Sequence, residues 1–324
     1  MQQIHELRQQ IENLIKEQDF DKCPAELYEP IAYTMRQGGK RMRPVLTLLA
    51  CELFNGNIKD ALHPALAVEV FHNFTLVHDD IMDDAPLRRG METVYKKWNA
   101  NIAILSGDTM FALAYQYAIQ TKPEYVQSIL QVFSKAAVEV CEGQQLDMNF
   151  EQTDQVTITD YLDMIRLKTA VLLGAALEIG AIIGGASENE IRNIYQFGIN
   201  LGIAFQLKDD LLDVYGEQDN FGKKSGGDIN SNKKTYLYLK ALELANDHQY
   251  NELTRLYKNH TDSSANKVNA VIKIFDELNI KDQVQKIMQA YYSKAINDLD
   301  ELGIVDERKH NLRSFAETLF HRNH

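Results

Sequence analysis

Apolar residues recur at spacings of three and four along nearly all of this 324-residue chain, and alternating runs rich in Val, Ile and Thr are rare. That period lines apolar side chains along one stripe of a helix and argues against strands. It predicts helices at about 2–18, 24–37, 43–55, 59–84, 101–121, 124–150, 159–185, 188–216, 232–247, 249–258, 264–279, 281–302 and 308–321. Breaks fall at Gly38-Gly39, Ala85-Pro86, around Pro123, at Thr153-Asp154, and in the Gly/Asn/Asp-rich stretch from Gln218 to Asn232. No linker of low complexity divides the chain. The expectation is one all-α domain spanning 1–324, a bundle of about 13 helices around a deep central cavity.

Hydrophobic residues make up 45% of the chain, enough for a large core. The formal net charge is −12 and the pI about 5.3, so the protein's field repels nucleic acid and anionic lipid. Cys23, Cys51 and Cys141 lie far apart, which reads as reduced, structural thiols of a cytoplasmic protein. The N-terminus MQQIHELRQQIENLIKEQ is amphipathic and mixed in charge, unlike an export signal. The most apolar stretch, Ala170 to Gly185, carries Glu178 and is shorter than the roughly 20 residues a membrane span needs. A helix buried within protein is expected there, with no integral membrane segment and no nucleic-acid partner.

The segment LVHDDIMDDAPLRRG, Leu76 to Gly90, holds four aspartates within six residues and two arginines behind them. Carboxylates this close raise one another's pKa unless a counter-charge intervenes. A second cluster, FQLKDDLLDVYG, runs from Phe205 to Gly216. Asp79 and Asp83 stack on one helix face about 6 Å apart between Cβ atoms, and Asp209 and Asp213 repeat that spacing. Near helix C-termini such pairs are disfavoured by repulsion and by the macrodipole, so cation binding is expected at both. Oxygen ligands without His or Cys suit Mg2+, which keeps waters and shares substrate phosphates. A single DDxxD reads equally as a solvated acidic face; a second one in the same helical chain weakens that reading. Two matching helix ends facing one cavity would place both clusters around the same ligand.

The basic residues complement them. GGKRMRP supplies Lys40, Arg41 and Arg43 after a Gly-Gly break, with Pro44 in the first turn of the next helix. Backbone amides at a helix start, together with such cations, form a phosphate site, although alone the cluster reads equally as a solvated turn. His72 lies two turns below Asp79 on nearly the same face. Lys168-Thr169 precede the apolar helix, and Lys223 and Lys233 flank the Gly-rich loop. The chain therefore offers two sorts of diphosphate site, one metal-bridged and one held directly by cations.

In their order, GGKRMRP, DDIMD…RR, GQQLD, KT, FQLKDDLLD and GK…DI…NK resemble the trans-isoprenyl diphosphate synthases, the polyprenyl synthetase family, over Lys40 to Lys233. The resemblance implies Lys40, Arg43, His72 and Arg89 for the diphosphate of isopentenyl diphosphate. It implies Asp79, Asp83 and Asp209 as ligands of about three Mg2+, with Asp80, Asp84, Asp210 and Asp213 supporting them. Arg88, Lys168, Lys223 and Lys233 would grip the allylic diphosphate, with Thr169 and Gln206 beside the reacting carbon and Gln144 and Asp147 organising the cavity wall. The loop GKKSGGD is one residue longer than the family's, so Lys223 and Lys224 can trade roles. A homodimer is also implied.

The implied activity is head-to-tail condensation of isopentenyl diphosphate with dimethylallyl, geranyl or farnesyl diphosphate. Metal and cations stabilise the departing diphosphate, and an apolar cavity keeps water from the carbocation. A class I terpene cyclase would carry a different second motif and lack GGKRMRP; a non-catalytic synthase subunit would have lost an Asp cluster. Below Asp79 on its helix, Thr75 lies about 6 Å down and Phe74 about 7.5 Å, with Phe71 one turn beyond Thr75. By family resemblance, an aromatic at Phe74 with a small Thr75 implies a twenty-carbon product, favoured over fifteen; Phe71 is the alternative floor.

Overall fold

The structure, a computed structural model, describes residues 2–153, 155–216, 226–258 and 264–321. Its helices in chain order are α1 (Gln2–Glu17), α2 (Ala25–Arg36), α3 (Met42–Leu53), α4 (Ile58–Met82), α5 (Val94–Lys97), α6 (Ala100–Ala118), α7 (Pro123–Gln152) and α8 (Ile158–Ile165). They continue with α9 (Val171–Gly184), α10 (Glu188–Tyr215), α11 (Gly227–Asn230), α12 (Tyr236–Leu244), α13 (Asp247–Lys258), α14 (Ser264–Glu277), α15 (Ile280–Asp300) and α16 (Asp306–His321). A π-helical turn, Arg166–Ala170, joins α8 to α9. Between α4 and α5 stands an antiparallel hairpin of β1 (Leu87–Arg88) and β2 (Met91–Glu92), pairing Leu87 with Glu92 and Arg88 with Met91. The fold is all-α, and each of the thirteen expected helices is present.

Local chemistry starts several of them. Asn57 accepts the Lys59 amide at 3.1 Å ahead of α4, and Asn99 accepts that of Ile102 at 2.9 Å ahead of α6. At α8, Thr157 and Asp160 satisfy each other's backbone amides reciprocally. Three departures from the expected elements stand out. The helix expected to reach residue 84 ends at Met82; the one expected from 232 begins at Tyr236, after the separate turn α11; and the π turn interrupts the one expected over 159–185.

Two compact units emerge. The first comprises residues 1–136, 172–195 and 302–315. Within it α4 packs against α1, α2, α3, α5 and α6, and burial on all sides explains why Ala61, Ala65, Leu66, Val68, Val70 and Phe71 leave it no polar stripe over that stretch. The second unit comprises residues 137–171, 196–301 and 316–324. There α12 packs against α8, α13, α14 and α15, and α11 against α14. The helical run Ile158–Gly184 is long and apolar enough by composition to cross a membrane, but 67% of its most apolar window is buried, as expected of a core helix.

Candidate active site

The first acidic cluster straddles the end of α4. Asp83 is the C-cap, its amide donating to the Asp79 carbonyl at 2.8 Å, and Asp84 beyond it turns off the helix at φ 48°. The counter-charge comes from the hairpin. Arg88 donates from Nε to Asp80 Oδ1 at 2.7 Å and from Nη2 to Asp79 Oδ2 at 3.2 Å, while Lys96 reaches Asp84 at 3.0 Å. Asp80 is buried, and that burial raises its carboxyl above the usual range even though Arg88 opposes the shift. Asp83 and Asp84 are exposed.

The cationic turn lies in the same unit. Its backbone passes through positive φ at Gly38 (73°), Gly39 (149°) and Arg41 (50°). Lys40 is exposed, but the Arg41 side chain is fully inaccessible: Nη1 bonds Glu69 at 2.7 Å, Nε Glu12 at 2.9 Å, and Nη2 the Met35 carbonyl at 2.7 Å. Of the three cations in the motif, Arg41 is therefore withdrawn from any ligand. Arg43 Nη1 lies 3.0 Å from His72 Nε2. A guanidinium only donates, so Nε2 accepts and the His72 proton sits on Nδ1. Burial first, then Arg43, Arg89, Arg88 and Arg41, hold His72 well below its ordinary range, so it is neutral. Arg89 donates to the Gly38 carbonyl, which ties it to the turn.

The second unit carries the other set. The π turn presents Lys168 and Thr169; Lys168 Nζ is 2.5 Å from Asp147 Oδ2, and Thr169 Oγ1 donates to Gln206 Oε1 at 3.0 Å. Gln206 Nε2 donates to Asp210 Oδ1 at 3.0 Å, and the Tyr161 hydroxyl donates to Asp210 Oδ2. Burial and neighbouring Asp228 push the Asp210 carboxyl well above the usual range. Asp147, Lys168, Thr169, Gln206, Asp210 and Lys233 line a cavity with about 580 Å³ of empty space, part of it open to solvent. Asp209 is exposed. Asp213 accepts the Asp228 amide at 2.9 Å, so it caps α11. Lys223 and Lys224 lie outside the described residues.

Two glycines admit the π turn. A Cβ on Gly143 would lie 2.6 Å from Lys168 Cα, and one on Gly202 would lie 2.6 Å from Ala170 Cα. Single π turns inside α-helices occur often at functional sites, where the extra residue re-aims side chains. In the first unit the chain-length candidates sit in an aromatic cluster. Phe71 is fully buried, with its ring centroid 5.5 Å from Phe74, 5.8 Å from Phe111 and 5.4 Å from Phe133. Phe74 adds Phe111 at 5.2 Å and His78 at 4.7 Å, and Thr75 donates to the His72 carbonyl at 2.7 Å.

The acidic residues are suited to Mg2+. Among the described residues no group of three or more His, Cys, Asp or Glu side chains forms a closed metal site. An Mg2+ ion held by these residues would take one or two carboxylates and complete its shell with water and phosphate oxygen, as is common for that ion.

Residues 24–275 match the family described as polyprenyl synthetase. This chain belongs to the polyprenyl synthetase family. It is 36% identical over 322 residues to a geranylgeranyl pyrophosphate synthase of Geoglobus acetivorans, covering 98% of this chain and 96% of that one. It is 38% identical over 256 residues to a geranylfarnesyl diphosphate synthase of Natronomonas pharaonis, covering 74% and 75%. A crystal structure of a geranylgeranyl pyrophosphate synthase superposes with a TM-score of 0.93 at 44% identity, covering 99% of each chain. As a member of this family the protein is a prenyltransferase.

Several residues of this polyprenyl synthetase were not expected from sequence. Phe111 and Tyr115, four apart on α6, and Phe133 on α7 complete the aromatic cluster; their spacing reads only as core. Lys234 lines the cavity and donates to the Phe150 carbonyl at 2.6 Å near the end of α7. Tyr161 is set by a hydrogen bond spanning 49 residues, which no local pattern announces.

Proposed function

We propose that this enzyme condenses isopentenyl diphosphate head-to-tail with dimethylallyl, geranyl or farnesyl diphosphate, in an Mg2+-dependent reaction giving a short all-trans prenyl diphosphate, geranylgeranyl in preference to farnesyl. What supports this reading is that the chain offers two chemically different sets of charged residues, each suited to a diphosphate. Each unit carries acidic residues that face solvent, Asp83 in the first and Asp209 in the second, and the first also holds a cationic turn where Arg43 meets a neutral His72. A one-substrate cyclase has no use for the cationic turn.

In this reaction Asp79, Asp83 and Asp209 hold Mg2+, about three ions per active site, and Asp80 and Asp210 support them from buried positions. Bound Mg2+ supplies Lewis-acid stabilisation of the diphosphate leaving group. Arg88, Lys168 and Lys233, with Lys223 or Lys224, neutralise the allylic diphosphate, and its C1–O bond breaks to give an allylic cation. Thr169 and Gln206 present oxygen dipoles beside that cation. Lys40, Arg43, His72 and Arg89 orient isopentenyl diphosphate so that its double bond attacks C1; a C–C bond forms, and a proton leaves C2 to the released diphosphate. The product tail runs along α4 past Thr75, with Phe74 as side wall and Phe71 below. The enzyme acts in the cytoplasm as a homodimer, each chain a single synthase domain of residues 1–324.

The test is incubation of purified protein with labelled isopentenyl diphosphate and each allylic starter separately, followed by sizing of the products. Twenty-carbon product, abolished reversibly by EDTA, is expected. Chains of thirty carbons or more, or full turnover in EDTA, would overturn the reading. Arg43→Ala is expected to raise KM for isopentenyl diphosphate selectively, and Lys233→Ala that for the allylic substrate.

A further inference from the structure

Arg41 stands between Lys40 and Arg43 in sequence but is spent on the protein itself. Its side chain is 0% exposed, its partner Glu69 3% and Glu12 23%. Its hydrogen bonds reach three different elements: Glu12 on α1, the Met35 carbonyl on α2, and Glu69 on α4. Glu69 is held in turn by Asn73, whose Nδ2 lies 3.1 Å from the same Oε1 and 2.8 Å from the Glu69 carbonyl. The turn has little of its own to fix it, since three of its four residues, Gly38 to Arg41, sit at positive φ. Arg8 from α1 takes the Gly39 carbonyl at 2.8 Å, and Arg89 takes that of Gly38. Arg8 and Glu12 both lie outside the family match of residues 24–275.

We infer that Arg41 and Glu69 are positioning residues for isopentenyl diphosphate: their buried pair locks the turn to α4 and thereby fixes the backbone at Lys40 and sets Arg43 against His72. The inference rests on the proposed assignment of Lys40, Arg43 and His72 to that substrate. Arg41 cannot touch a diphosphate itself, because solvent cannot reach it. A planar guanidinium with fixed donor directions suits this task, and a lysine point charge cannot reproduce three directed bonds at once. Buried ion pairs contribute little net stability over apolar residues of similar volume, so a pair kept here is explained better by geometry than by stability.

The experiment separates the two. Arg41→Lys, Glu69→Gln and the double variant Arg41→Met/Glu69→Leu are compared with wild type for steady-state constants of each substrate and for thermal unfolding. The expected result is a rise of about tenfold or more in KM for isopentenyl diphosphate in all three, with KM for the allylic substrate nearly unchanged, as for loss of uniform binding of one substrate. The apolar double variant is expected to recover Tm towards wild type without recovering that KM. A folded double variant with wild-type KM for isopentenyl diphosphate would overturn the inference. If the double variant does not fold, Arg41→Lys decides: a folded protein with unchanged KM refutes the positioning role. Arg43→Ala is the control on the assignment: if it leaves KM for isopentenyl diphosphate unmoved, the substrate site has been misplaced, which is a different failure.

Discussion

Replacing Gly143 by Ala sets two rules against each other. In a helix interior Gly→Ala normally stabilises by about 1 kcal/mol, and Gly143 lies in the middle of α7. Here the new Cβ would stand 2.6 Å from Lys168 Cα and 2.7 Å from the Leu167 carbonyl carbon, closer still to the Lys168 nitrogen, all of it backbone. To reach ordinary contact at 3.4 Å with the nearest of these atoms the π turn must retreat by more than about 1 Å. Overpacking of this kind costs about 1–3 kcal/mol, which cancels or exceeds the propensity gain. The larger effect falls on function. The retreat pulls Thr169 from Gln206, now 3.0 Å away, and Lys168 from Asp147, now 2.5 Å away. A misplacement near 1 Å at a reacting centre can lower turnover about 10²-fold. The assay is kcat for condensation of labelled isopentenyl diphosphate alongside a calorimetric melt. A variant with a higher Tm than wild type and undiminished kcat would show that close approach at Gly143 does not position the turn.

Asp79→Ala or Asp209→Ala is expected to lower turnover by at least 10²–10³-fold with circular dichroism unchanged, since loss of one electrostatic stabiliser commonly costs that much; near-normal turnover in either refutes the metal role. Thr75→Phe is expected to shift product towards fifteen carbons and Phe74→Ala to lengthen it, because the latter removes the ring facing Phe111 at 5.2 Å; product sizing that shows neither shift places the tail elsewhere. His72 is kept below its ordinary pKa in the fold, so the folded state binds fewer protons than the unfolded state as pH falls through about 6.5. Its contribution is therefore full above that pH and declines below it, and His72→Gln is expected to reduce the drop in Tm between pH 7.5 and 5.5.

Much of the fold was legible because helices are announced locally. Apolar spacing, Gly-Gly and Pro breaks, and caps such as Asn57 and Asn99 act within a few residues of the element they define. The candidate chemistry was legible for a similar reason: DDxxD pairs carboxylates four apart, and that spacing alone puts them on one helix face. The hairpin was missed because two residues per strand carry no period. The end of α4 was overrun because Asp83 and Asp84 are compatible with a helix, and only the left-handed turn at Asp84 stops it.

Sequence by itself determined which residue types are available and roughly where on each helix they stand. Tertiary structure decided which of them a ligand can use. Arg41 and Arg43 are indistinguishable in GGKRMRP, yet one is enclosed by Glu12 and Glu69 and the other faces His72. Asp83 and Asp213 hold the same place in their motifs, yet one is an exposed C-cap and the other caps α11. The physical reason is distance along the chain. A carboxylate's or guanidinium's role depends on burial and partners, and these come from residues such as Glu69, 28 positions from Arg41, or Tyr161, 49 from Asp210. No short window of sequence contains both members of such a pair, so only the folded chain can assign them.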